Sequence, residues 1–238
     1  MDTLMPEDEA AVERAIRAQI DRHVFGHGRG PHNIDSLGWL ASGLASHEYA
    51  RVHMRKAGRF GSKFELLEFG VSQAPRSGVC MEFGVFEGTT INHLAKLLPE
   101  RRVFGFDSFK GLPENWTQGT PKGTFALDRR PAVRENVTLI EGLFDRSLPP
   151  FCENFDGGEI SLIHIDCDLY SSTQAVFANI GYLVKPGVII VFDEYFNYPD
   201  WQSHEHKAFR EFSESKGISY EYIGLVPFGM QVALKILG

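Results

Sequence analysis

The chain has 238 residues, 43% of them hydrophobic and 23% charged, a composition that suits one globular domain with a decorated end and excludes a fibrous or disordered chain. A formal net charge of −7 argues against a protein held mainly by nucleic-acid phosphates, which needs clustered Lys and Arg. No apolar run approaches the roughly 18 to 20 residues that span a bilayer, and Met1-Asp2-Thr3 lacks the basic and apolar regions of a signal peptide, so a cytoplasmic protein without membrane contact is expected.

From Pro6 to about Val24, the apolar residues Ala10, Val12, Ile16 and Ile20 recur at helical spacings and predict an amphipathic helix, stopped by the Gly-rich stretch Gly26 to Gly30. A second helical region is expected from Ile34 to Ala74, broken near Ser42-Gly43 and Gly58-Gly61, with Leu66, Leu67 and Phe69 in the core. Residues 1–76 are thus read as a helical N-terminal cap and 77–238 as the principal domain.

After Ser77-Gly78 the pattern becomes apolar runs alternating with helical periods. Val79 to Phe83 is followed by a helix from Thr90 to Leu98, then by Val103 to Phe106, Val137 to Ile140, Ile160 to Ile165 and Gly187 to Phe192. Continuous apolar runs separated by helices signal a parallel sheet covered on both faces, an α/β doubly wound, Rossmann-like domain. Ser171-Ser172-Thr173 is expected to cap a helix that ends near Lys185-Pro186-Gly187. A further helix around His204 to Lys216 precedes Tyr220 to Ile223 and Met230 to Ile236, which are joined by too few residues for a crossover and must pair antiparallel. The unpatterned stretch from Ser108 to about Asn136 reads as a lid or substrate loop. Cys80, Cys152 and Cys167 are odd in number and widely spaced, so they read as free thiols.

The chemistry sits at the strand ends. In Glu82-Phe83-Gly84-Val85-Phe86-Glu87-Gly88-Thr89-Thr90, Gly84 permits close approach of a ligand and Gly88 relieves crowding before a helix whose free amides favour a carboxylate. The pattern departs from G-x-G-x-x-G, and Glu82 offers a partner to a cationic amine, which points away from pyrophosphate and towards a nucleoside bearing an amino acid. Asp107 is placed to accept hydrogen bonds from ribose hydroxyls, and Gly142 with Phe144 to flank an adenine ring. Asp166, Asp193 and Glu194 should converge outside the strand ends and supply hard oxygens to Mg²⁺ or another divalent cation; the alternative has them paired with Lys or Arg from the loop. Tyr170, Tyr195, Tyr198 and Trp201 are candidate stacking walls for a sugar, and His204-Glu205-His206 reads as solvated surface or a substrate contact.

The strings MEFGVFEGTT, FGFDSFKGLP, HIDCDLYSST and IIVFDEY resemble the macrocin O-methyltransferase family of class I methyltransferases, over about Gly78 to the C-terminus. The resemblance implies a seven-stranded, mostly parallel sheet with an antiparallel last strand, S-adenosylmethionine as cofactor, and a hydroxyl of a sugar or other natural product as acceptor. By the same resemblance Glu82, Gly84, Glu87, Gly88 and Thr89 surround the methionine end of the cofactor, and Asp107 holds the ribose. Ser108, Gly142, Phe144 and Asp166 complete the cofactor site, while Asp166, Asp193 and Glu194 bind Mg²⁺ and homo-oligomers are common. The acceptor proton would go to Asp166, or to His164 if its ring turns into the site. A catalytically silent S-adenosylmethionine-binding module and a nicotinamide dehydrogenase are the alternatives on the same sheet.

Overall fold

A computed structural model describes residues 33–117, 119–156 and 158–238, with isolated positions 11, 14, 15 and 18 before them. The helix expected from Pro6 to Val24 and its glycine stop lie outside the described stretches. The first element is helix α1, Ile34–His53, opened by Asn33, whose side chain accepts from the amides of Asp35 and Ser36. The helix runs unbroken through Ser42-Gly43, where a break was expected. Ser42 Oγ and Ser46 Oγ each donate to the carbonyl four residues back, and a glycine inside a helix costs only about 1 kcal/mol, which packing overrides. The expected break at Gly58-Gly61 is real and holds a strand, β1, Gly58–Arg59, before helix α2, Lys63–Gln73. Ser62 caps α2 by accepting from the amide of Glu65, whose carboxylate takes the amide of Gly61.

The remaining elements alternate: β2 Val79–Phe83, α3 Thr89–Leu97, β3 Val103–Asp107, β4 Val137–Glu141, α4 Phe144–Glu153, β5 Ile160–Ile165 and α5 Tyr170–Ile180. A 3₁₀ turn, Gly181–Leu183, leads to β6 Ile189–Phe192, α6 Glu205–Lys216, β7 Tyr220–Leu225 and β8 Val232–Ile236. They form one sheet in the order β1-β7-β8-β6-β5-β2-β3-β4, parallel except for β8, which pairs antiparallel with both β6 and β7. The chain therefore has the α/β Rossmann-like fold with one strand more than expected, the two-residue β1 paired parallel to β7.

The sheet is buried on both faces. One side packs Phe83, Phe106, Ile163 and Phe192 against α4, α5 and α6, with Phe83 stacked on Phe106 at 4.8 Å. The other side packs Cys80, Leu162 and Val191 against Leu66 and Leu67 of α2 and Ile91, Leu94 and Ala95 of α3. Residues 58–73 are thus part of the sheet and its core. Among the described residues no side chain caps α5: Leu169 holds the N-cap position, Thr173 Oγ1 donates to the Leu169 carbonyl, and Ser171 Oγ donates to Glu114 in the long loop.

Candidate active site

All parallel strands deliver their carboxyl ends to one side, and there a cavity of about 720 Å³ opens. It is lined by the segments that follow β2, β3, β4, β5 and β6, by Lys63 of α2 and by Leu112, Trp116 and Phe125 of the long loop. That loop folds back on itself through Leu112 and Thr124, and it crosses the cavity to set Trp116 edge-on against Tyr198 at 5.6 Å.

At the β2–β3 end the backbone is held close to a ligand path. Gly84 has φ +92°, and a Cβ there would lie 1.6 Å from the carbonyl oxygen of Asp166, so the crossing of the two strand ends admits only glycine. Asp107 fixes the neighbouring turn: Oδ2 accepts from the amides of Val85 and Phe86 at 2.8 Å each, and Oδ1 from Phe109 at 2.7 Å. These bonds hold Phe86 at φ +46°, a region a bulky side chain rarely adopts. Gly84, Glu87, Thr89, Asp107, Ser108, Gly142, Phe144 and Asp166, all expected at a cofactor, line the cavity.

Glu82 and Gly88, expected beside them, do not. Gly88 is the left-handed N-cap of α3. Glu82 is fully buried, with Oε1 accepting from Thr90 Oγ1 and Oε2 at 3.0 Å from His164 Nδ1, so both oxygens that were to meet a cofactor amine are engaged inside the protein.

At the β5–β6 end, His164, Asp166 and Asp193 offer ligand atoms within 4.8 Å of one another. Burial alone would lower the His164 pKa, but the carboxylates of Asp193 and Glu82 push it up to about 10. His164 is therefore a cation at neutral pH, buried and outside the cavity wall, which removes it as acceptor of a substrate proton. It stands 3.9 Å from Asp193 Oδ1, an ion-pair separation too long for a hydrogen bond. Asp193 Oδ2 lies 3.4 Å from Lys63 Nζ. The cation that reaches the carboxylates thus comes from α2, a different element from the loop considered above.

Burial raises Asp193, yet His164 and Lys63 outweigh it and hold its carboxyl below the usual range. Asp166 and Glu194 move the other way, pushed well up by burial and then by the Asp193 charge. Asp168, also on the cavity wall, rises to about 7, through burial and the charges of Asp193 and Asp107. Asp193 Oδ1 and Glu194 Oε2 are buried acceptors with no hydrogen-bond partner among the described residues. Glu194 lines the cavity but lies outside the close group of His164, Asp166 and Asp193. Cys80 and Cys167 are free and buried, and Cys152 is free and half-buried.

Glu205, the first residue of α6, was hidden in a string read as surface. It is fully buried and accepts from the amides of Cys167 and Glu194, tying the ends of β5 and β6 together and setting the spacing of Asp166 and Asp193. His206 is buried too, edge-on to Tyr49, Tyr195 and Trp201. Tyr195 and Trp201 are core residues, and Tyr170 bonds Glu211 on the outer face, so none of the three lines the cavity as a sugar wall. The aromatic walls are Phe86, Trp116, Phe125 and Phe144. Lys63 and Trp116 carried no motif; the one signal for Lys63 was its place beside the Ser62 cap, and that predicts a helix start rather than a site.

Residues 81–195 match the family described as a methyltransferase domain. This segment, just under half of the chain, is similar to methyltransferase domains. It contains Gly84, Asp107, Asp166, Asp193 and Glu194, while Lys63 and Glu205 lie outside it. Among solved structures, CalS11, a calicheamicin methyltransferase, is 23% identical over 98% of this chain and 94% of its own, with a TM-score of 0.58. An apo structure of CalS11, described as a TDP-rhamnose 3'-O-methyltransferase of calicheamicin biosynthesis, is 22% identical over 99% and 96%, with a TM-score of 0.51. The O-methyltransferase NovP is 20% identical over 74% of this chain and 80% of its own, with a TM-score of 0.55. These likenesses bear on the fold alone. The search of curated proteins gave no match. Among the described residues no helix is long and apolar enough to cross a membrane.

Proposed function

We propose that the protein is an S-adenosylmethionine-dependent O-methyltransferase, assisted by Mg²⁺ or another divalent cation, that methylates a hydroxyl of a sugar or other small natural product. The observation that carries this reading is the pair of buried acceptors without partners among the described residues, Asp193 Oδ1 and Glu194 Oε2, beside the cavity that the Gly84 and Asp107 turns also line. Buried carboxylate oxygens without donors are costly. A hard cation suits oxygens of this kind, so Asp166 and Asp193, with Glu194, would hold it. The bound cation would orient the acceptor hydroxyl and lower its pKa.

The chain's own residues do the rest. The turn after β2, fixed by Asp107, would receive the cofactor; Asp107 already takes three amides and keeps capacity for about one more donor, enough for a single ribose hydroxyl. Asp166, held above its usual range, would take the acceptor proton, with the His164 cation steadying Asp193 beside it. Trp116, Phe125 and Leu112 would exclude water over the reacting pair.

The narrower likeness to macrocin O-methyltransferases belongs to this proposal, as do a cytoplasmic location and a division into an N-terminal cap, 1–76, that lends Lys63 to a cofactor-binding region, 77–238. A homo-oligomer is also part of it, supported by the exposed apolar side chains Trp39, Leu40 and Leu44 on α1. Calorimetry with S-adenosylhomocysteine, with and without Mg²⁺, tests the reading: micromolar binding is expected, and its absence overturns it. Asp193→Ala should lower turnover of an identified acceptor by at least about 10²-fold while leaving S-adenosylhomocysteine affinity within about twofold; turnover near the wild-type rate would sink the metal mechanism, and cofactor binding without turnover in the wild type would favour the silent module.

A further inference from the structure

Beside the main cavity lies a second, of about 430 Å³, between the C-terminal half of α1, the edge strand β1 and the chain that follows β6. Among the described residues its wall carries His47, Arg51, Arg55 and Arg59 and no carboxylate, on a chain whose net charge is −7. Residues 51–63 hold five of the chain's 24 Lys and Arg residues and no Asp or Glu, so this charge is concentrated here. Arg51 is bound by Glu48 at 2.8 Å, whereas Arg55 and Arg59 pair with no carboxylate among the described residues. Ser46 and Asn197 add polar groups, and the volume falls in the range of small-molecule sites.

Residues that line the two cavities lie close together along the chain. Glu194 lines the first and Phe196 the second, two residues later, at most about 7 Å along the backbone. Arg59 lines the second and Lys63 the first, a turn and a helix start apart. Their charges are opposite: the first gathers Asp166, Asp168, Asp193 and Glu194, the second three arginines. A molecule with a hydroxyl at one end and a doubly charged anion at the other would be drawn by its anionic end to the arginines of the second cavity. Guanidinium groups also match phosphate oxygens in a planar, bidentate fashion.

We propose that Arg55 and Arg59, with Arg51 and His47, bind a phosphate or diphosphate group of the acceptor, so that the substrate is a phosphorylated or nucleotide-linked sugar rather than a neutral glycoside. This rests on the methyl-transfer reading for the role of the first cavity, but the anion site stands on its own residues. The reaction supplying such a substrate would be one that activates a sugar as its phosphate ester, and the enzyme consuming the product would transfer the methylated sugar from it.

The test is calorimetry on the full chain, with inorganic pyrophosphate, uridine diphosphate and sulfate as probes and S-adenosylhomocysteine as an independent arm, on wild type and an Arg55→Gln, Arg59→Gln double variant. Both positions are exposed, so the fold is expected to survive the change. The expected result is binding of both diphosphate probes to the wild type, weakened at least tenfold in the variant and by added salt, with S-adenosylhomocysteine affinity unchanged. Tighter binding of uridine diphosphate than of pyrophosphate identifies a nucleotide-linked sugar, and equal binding a simple sugar phosphate. The inference is overturned if neither diphosphate binds, if the variant binds them as well as the wild type, or if sulfate binds as tightly as pyrophosphate. S-adenosylhomocysteine binding without diphosphate binding overturns this inference alone; diphosphate binding without S-adenosylhomocysteine overturns the methyl-transfer reading and leaves the anion site standing.

Discussion

At the Gly84–Asp107 end of the main cavity the polar groups of the wall are already satisfied by protein: Asp107 takes three backbone amides, and the carbonyl of Asp166 leaves no room for a side chain at residue 84. At the Asp166–Glu194 end the reverse holds. Two buried carboxylate oxygens lack donors among the described residues, neighbouring carboxyls are driven in opposite directions, and the nearby cations include His164, beneath the wall, and Lys63, from a helix outside the matched segment. A saturated end holds a shape, while an under-satisfied end is ready to exchange partners. On the proposed reading, the first would bind the cofactor and the second would carry the chemistry.

Breaking the saturated end should have the largest effect. Gly84→Ala places a Cβ inside the Asp166 carbonyl at a positive φ, so β2 and β5 must separate; a loss of at least about 4 kcal/mol is expected in denaturant unfolding, together with loss of S-adenosylhomocysteine binding. A melting temperature within a few degrees of wild type would show that the crossing is pliable. Asp193→Ala attacks the other end and should leave the fold standing, with kcat lowered by about 10²- to 10³-fold, the scale of a lost electrostatic stabiliser.

Two buried histidines carry the same contrast into pH. His164, between carboxylates, is held protonated, whereas burial among aromatic rings, with the nearby Arg210 and His53 charges, lowers His206 to about 4. Between pH 6.5 and 4 the unfolded chain takes up a proton that folded His206 refuses, so stability falls as pH falls through that window, by about 3 kcal/mol for the 2.5-unit difference. His206→Phe should flatten the acid limb of the pH–stability curve by this amount. Parallel limbs in variant and wild type would mean that His206 is protonated in place.

The sheet was legible because its strands are continuous apolar runs: Val79–Phe83 and Ile160–Ile165 lie where the sequence places them. The same continuity hid which face of β5 meets the ligand, since every residue of that strand is buried, and His164 turned away from the cavity. Strand β1 has two residues and no apolar signal; its pairing with β7 is a backbone event across some 165 residues. Tyr195 and Trp201 were read as walls because aromatic residues at a strand end suit either a ligand or the core, and the packing of α1 and α6 decided for the core. The carboxylates of the site were legible because strand ends gather them, but their cation was not, since Lys63 and Asp193 meet across 130 positions of chain.

That ion pair gives the smallest effect and the sharpest reading of the comparison. Lys63 Nζ stands at Asp193 Oδ2 and also feels Asp166 and Glu194, so an ammonium occupies part of the field into which a divalent cation would have to fit. A unit charge about 4 Å away is worth about 4 kcal/mol at an effective dielectric constant near 20. Lys63 is a third exposed and can swing outward on its flexible stem, so most of that repulsion relaxes when a cation arrives. Lys63→Met keeps the apolar stem and removes the charge. Its affinity for Mn²⁺, followed by electron paramagnetic resonance without substrate or cofactor, should rise about tenfold, equivalent to 1.4 kcal/mol. Should affinity fall instead, Lys63 would be holding Asp193 in the geometry that the metal needs, and the under-satisfied end would be less free to exchange partners than its orphaned oxygens imply.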